Sequence, residues 1–186
     1  NFRSIFSFNA ANTERRFLYN LTTFNASWGY DFQWGKKLFS LRIPNIEYSL
    51  LNKRDSLDTL IKYNPLLKNI FTDGLIASIS ASFTMSGGKK SNLNILRANI
   101  EESGLLTGLI RNPFLDKHLY RYIKTDVELA RKVQYKRSSL AFRFFAGVGY
   151  ELGSTRNPDK RNNLPFFKEY FAGGPNSMRG WRLRQL

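Results

Sequence analysis

One arginine is set in an unusual frame. Arg179 stands in the run Gly173-Gly174-Pro175-Asn176-Ser177-Met178-Arg179-Gly180-Trp181, with Phe167, Tyr170 and Phe171 before it and Arg182-Leu183-Arg184 after it. A guanidinium is a planar fork of N–H donors that does not lose its charge, so inside a confined site it demands carboxylates or carbonyls as partners. Gly173, Gly174 and Gly180 permit positive φ and close backbone approach. Phe171 and Trp181 can pack beside the cation, an interaction of about 0.5–2 kcal/mol. The chemistry on offer is electrostatic anchoring of a tight loop. Taken alone, Gly-Gly-Pro-Asn is an ordinary turn, so the surrounding elements must decide.

Other polar groups offer less. Glu101, Glu102, Asp126 and Glu128 are candidate acid/base carboxylates, but no nucleophile, base and orienting group occur together, and charge lining a barrel interior explains them better. His118 is the sole histidine and the chain has no cysteine. A metal site is therefore not expected, and His118 is assigned to a loop. Gly87-Gly88-Lys89-Lys90 lacks the spacing and following helix of a phosphate-binding loop. No enzyme activity and no cofactor are expected.

The elements that would position Arg179 are strands. Residues 19–34 alternate most clearly, with Trp28, Tyr30, Phe32 and Trp34 on one face and Gly29, Asp31, Gln33 and Gly35 on the other. Lys36-Lys37 marks a turn into residues 38–51, completing a long hairpin. Leu57, Leu60 and Ile61 then recur at helical spacing, and Asn64-Pro65 interrupts them, which predicts a short helix. Further strands are predicted over 75–85, 92–102, 120–129 and 139–150, with residues 87–90 and 104–117 as loops. In the last strand Phe142 and Phe144 share a face with Leu140, Ala146, Val148 and Tyr150, while Arg143, Gly147, Gly149 and Glu151 take the other. Alternation alone does not separate a soluble sandwich from a membrane barrel. Strand length does: about ten residues suits a tilted membrane crossing, against about five or six in a globular sheet.

Composition agrees with such a barrel. A mean hydropathy of −0.39 does not argue for solubility, because a barrel strand carries its apolar residues in alternation. Aromatic residues make up 15% of the chain, a payload that lipid-facing stripes of Trp28, Tyr30, Phe32, Trp34, Phe142 and Phe144 would accommodate. No apolar run is long enough for a membrane-spanning helix. The formal charge of +15 suggests nucleic acid or an anionic surface. Basic loops facing lipid headgroups satisfy it equally, and no nucleic-acid partner is expected. No secretion signal opens the chain, and it is taken to be a fragment.

At its C-terminal end the sequence FKEYFAGGPNSMRGWRLRQL, residues 167–186, resembles the loop-six signature of the Omp85 superfamily of outer-membrane β-barrels. The aromatic, the paired glycines, Ser177 and the Arg179-Gly180-Trp181 triplet stand in order, with Met178 where many members have valine. Trp28-Gly29-Tyr30, Ile43-Pro44-Asn45 with Tyr48, and residues 98–104 look like barrel strands of Bacteroidetes members, of BamA-like or TamA-like type. The resemblance implies an all-β fold: a transmembrane antiparallel barrel, sixteen-stranded in the family, of which residues 1–186 form a part with a short helix between strands. It implies that Arg179 enters the lumen and meets an acidic residue on a later strand. POTRA domains and the closing strands lie outside this sequence.

Its functional implication is assembly and insertion of outer-membrane proteins in the bacterial outer membrane, with lipids, nascent β-barrel clients and possible accessory assembly subunits as partners. The alternative is a secretion pore or translocation channel of the same superfamily. A soluble, basic nucleic-acid-binding domain is the weakest of the three.

Overall fold

The computed structural model describes residues 1–63, 74–89, 91–105, 113, 118–152, 164–165 and 168–170. Seven strands and one helix follow in chain order: β1 (Phe2–Arg15), β2 (Tyr19–Trp34), β3 (Lys37–Lys53), α1 (Asp55–Tyr63), β4 (Gly74–Lys89), β5 (Asn92–Ser103), β6 (Tyr122–Gln134) and β7 (Ser139–Glu151). The strands form one sheet in the order β1-β2-β3-β4-β5-β6-β7, every neighbour antiparallel. The sheet is all-β meander and open, with β1 and β7 at its edges. Strands of 12 to 17 residues are two to three times the usual globular length of about five or six.

Several boundaries differ from those expected. β1 was not foreseen: Phe2, Phe6 and Phe8 alternate with Arg3, Ser7 and Asn9, but Ala10, Ala11 and Asn12 blur the period. Gly87, Gly88 and Lys89 are not a loop but the end of β4, paired with Asn94, Leu93 and Asn92. Gly88 manages this at φ 103°, where an added Cβ would overlap the Asn92 carbonyl. The turn after β2 is Gly35–Lys36, and Lys37 already opens β3. β6 starts later than expected, at Tyr122, and runs on to Gln134, because Ala130, Lys132 and Gln134 keep the alternation.

Register fixes two chemically distinct faces, since residues directly opposite each other share a face. On one face Phe6 pairs with Trp28, Phe32 with Phe39, Phe83 with Ala98, and Val127 with both Ala98 and Ala146. On the other, Asp31 pairs with Ser40, Ser80 with Glu101, Asn99 with Asp126, and Lys124 with Gly149. A bulge between Arg42 and Asn45 shifts the β3–β4 register, so Arg42 and Asn45 both lie on the polar face.

The buried residues lie on the polar side. Ile76, Tyr120 and Tyr122 cluster there with Leu164 against them, and Leu51 of β3 and Leu57 of α1 are buried at the same end. That end carries the turn 16–18 and the long connections 54–73 and 104–121, whereas at the opposite end every link between strands is short: 35–36, Lys89 to Asn92, and 135–138.

Candidate functional site

Lys168 and Tyr170 are laid across the polar face, and what they touch defines the site. Pro165 accepts a backbone bond from Lys168 at 2.8 Å, forming a tight turn that presents both side chains to the sheet. The Lys168 ammonium donates to Glu47 Oε1 of β3 and Glu101 Oε1 of β5, each at 3.0 Å. Tyr122 of β6 donates its hydroxyl to the same Glu101 oxygen at 2.9 Å. One lysine therefore ties together strands far apart in sequence. Its side chain is 16% exposed, and Glu101 and Glu47 are 17% and 25% exposed. Burial opposes the charge on Lys168, but Glu101 and Glu47 outweigh it and hold the ammonium pKa above the ordinary lysine value.

Tyr170 makes the second anchor. Its hydroxyl donates to Asp126 Oδ2 at 2.9 Å and lies 3.0 Å from the Thr125 carbonyl. Lys124 places its ammonium 4.2 Å from the ring centroid, and Phe145 meets the ring edge-on at 5.6 Å. Burial and then the bond to Asp126 push the phenol pKa up. Room for the ring comes from Gly147, where an added Cβ would stand 2.6 Å from Tyr170 Cζ. Gly149 does the same for Leu164, at 2.9 Å. The two glycines of β7's polar face are thus a seat for this segment.

Ion pairs fill the remainder of the face. Asp31 accepts from Arg42 at 2.9 Å with Arg3 at 3.8 Å, and Glu128 lies between Arg97 at 3.4 Å and Arg143 at 2.8 Å. Asn99 donates to Asp126 Oδ1 at 2.7 Å. No group of His, Asp and Glu able to hold a metal occurs among the described residues.

Glu101, Asp126 and Glu128 thus face the polar side as foreseen. Glu102 does not: it falls on the apolar face opposite Ile79 and Ile123 and caps the Leu105 N–H. Trp28, Tyr30, Phe32 and Trp34 share the apolar face, extended by Phe2, which stacks on Tyr30 at 5.6 Å, and by Phe39, 6.2 Å from Phe32. Phe142 and Phe144 are on that face too, both well exposed. Gly173, Gly174, Ser177, Met178, Arg179, Gly180 and Trp181 lie outside the described residues. Sequence reasoning missed Lys168 and Glu47. Gly147 and Gly149, alternating on a strand's polar side, were the available sign that something packs there.

The comparisons with known proteins fit this arrangement. Searches of curated proteins and of solved structures gave no match. The model of the Omp85 superfamily domain matches residues 7–186, so the chain belongs to the Omp85 superfamily, whose members include assembly factors and secretion channels.

Proposed function

We propose that this chain is part of an outer-membrane β-barrel that assists folding and insertion of other β-barrel proteins. The observation that carries this is the inversion of the sheet: its large apolar residues are exposed, and the acids Asp31, Glu47, Glu101 and Glu128 of its polar face are paired and partly covered. Trp34 is 60% exposed, Phe142 59% and Val148 64%. In water, each such side chain forgoes roughly 1.5–3 kcal/mol of burial. Lipid supplies that burial, and the strand lengths suit a tilted crossing. Trp28, Tyr30, Phe32, Trp34, Phe142 and Phe144 are the lipid contacts in this view.

One end has only short links and the other carries both long connections beside the turn 16–18, which suits the periplasmic and extracellular ends of outer-membrane barrels. The segment after β7 then starts at the extracellular end and folds back onto the lumenal face, where Lys168 and Tyr170 hold it. Arg179 follows nine residues beyond Tyr170, and we assign it to the same polar interior. The insertion mechanism is strand templating: a client's unpaired backbone groups are satisfied by a barrel edge instead of being left bare in hydrocarbon. Nascent barrels and accessory assembly subunits are the partners, in a BamA-like or TamA-like role.

Reconstitution of the full protein into liposomes with an unfolded barrel client tests it. Faster client insertion than in empty liposomes is expected, and an unchanged rate sinks the proposal. The charged inner face favours one other role, a secretion pore, for which strong single-channel conductance with passage of one exported protein would be the signature.

A further inference from the structure

The apolar face contains a groove. It has a volume of about 610 Å³, and Met85, Leu96, Leu129, Phe142 and Phe144 line it, with Asn94 and Arg131 also in its wall. All seven belong to the apolar face by register, across β4 to β7. Gly87, also in its wall, leaves it open: nothing lies within 4 Å of where its Cβ would be. Arg131 pairs with Asn94 on one side and Phe142 on the other, about 10 Å from the end of β6 at Gln134. A guanidinium at that depth can reach a headgroup while its stem lies along apolar surface.

Two more cations frame the groove. Lys37 is opposite Met85 on the same face, and Lys89 stands at the adjoining end of β4. The strand ends that carry them are tied laterally: Ser86 N donates to Lys36 O at 3.0 Å, Lys36 Nζ to Gly88 O at 3.4 Å, and Gln134 N to Ser91 O at 2.7 Å. Among the described residues Glu102 is the only acid on the apolar face of β3 to β7, and it lies at the opposite end of β5. Cations around an apolar slot with no nearby acid complement one kind of molecule, an anion that carries a hydrocarbon chain.

We propose that this groove is a seat for one anionic glycerophospholipid, its acyl chain against Leu96, Leu129 and Phe144 and its phosphate among Arg131, Lys37 and Lys89. The proposal rests on the outer-membrane reading, because only in a bilayer is this face next to lipid. Each cation near an anionic headgroup strengthens binding by about fivefold.

The test is native mass spectrometry of the full protein released from nanodiscs of phosphatidylglycerol or of phosphatidylcholine. One retained phosphatidylglycerol is expected, with a preference over phosphatidylcholine of at least about tenfold. An Arg131→Ala, Lys37→Ala, Lys89→Ala triple variant should lose that preference, and Gly87→Trp, which fills the open space, should lose the lipid itself. Arg16→Ala, at the other end of the sheet, should change neither. Equal retention of both lipids, or a preference that survives the triple variant, overturns the groove. Heat-modifiable migration of each variant separates the two ideas: a folded barrel without lipid preference refutes only the groove, whereas a protein that never enters the nanodiscs refutes the membrane reading as well.

Discussion

The two faces of this sheet are built from the same strands and obey opposite rules. On one, Phe6, Trp28, Leu129 and Phe142 are well exposed, with none of the described residues laid over them. On the other, Asp31, Glu47, Glu101, Asp126 and Glu128 each have cations or hydroxyl or amide donors within reach. A soluble domain would cover the first face and leave the second to water. Here the covering segment, Leu164 with Lys168 and Tyr170, chooses the polar face. The chain thus spends its glycines, Gly147 and Gly149, on making room over charges. That allocation is intelligible when the solvent outside is hydrocarbon, since a charge facing lipid has no substitute for its hydration whereas a lumenal charge has water and partners.

The sharpest way to break the comparison is to place the same charge on each face at the same height. Val127 sits midway along β6 on the apolar face, between Ala98 and Ala146, and Ser82 is on the polar face of β4. Val127→Arg should destabilise the folded protein in lipid vesicles by about 2–4 kcal/mol, read from urea titration of tryptophan fluorescence. Ser82→Arg should cost much less. Equal costs would mean the apolar face is not in lipid, and the inversion would then need a covering protein layer instead.

A smaller effect is expected from the covering segment. Lys168→Met removes the one cation shared by Glu47 and Glu101, leaving Glu47 with the Asn45 amide and Glu101 with the Tyr122 hydroxyl as neutral donors. Losing one partner of a mostly buried pair costs up to about 3–5 kcal/mol, and the residual exposure here reduces that to roughly 2 kcal/mol. The loss should appear as faster protease cleavage near residues 168–170 with the strands still protected. Unaltered cleavage would show that Tyr170 and Leu164 hold the segment without the lysine.

These two faces were legible in the sequence to different degrees. Strict alternation in residues 28–34 and 140–150 displayed the strands, their apolar stripes and their polar backs, because a period of two is local information. β1 was obscured by Ala10 and Ala11, which are small enough to suit either face. The end of β4 was hidden by Gly87-Gly88, a pair that usually signals a turn but here continues a ladder through a residue at positive φ. Helix α1 was announced by Leu57 and Ile61 at helical spacing, and it forms over Asp55–Tyr63. The site was the least legible part. Glu47, Glu101 and Lys168 are remote in sequence and meet only because three strands and a returning segment converge, and no spacing rule encodes that.

The smallest effect sharpens the comparison by pH. Lys168 has its folded-state pKa raised, with burial opposing and Glu101 and Glu47 prevailing. A raised cationic pKa contributes stability that is fully present below the unfolded lysine value of about 10.4 and is lost as pH rises through the higher folded value. Protection of residues 168–170 from protease, corrected for protease activity, should therefore be flat from neutral pH to about 10 and fall only above that. The Lys168→Met variant should show a smaller alkaline step, reduced to what Tyr170 contributes. A step of undiminished size in the variant would assign it to Tyr170 and not to Lys168, because the phenol also gives up its proton only in alkali and its bond to Asp126 ends when it does.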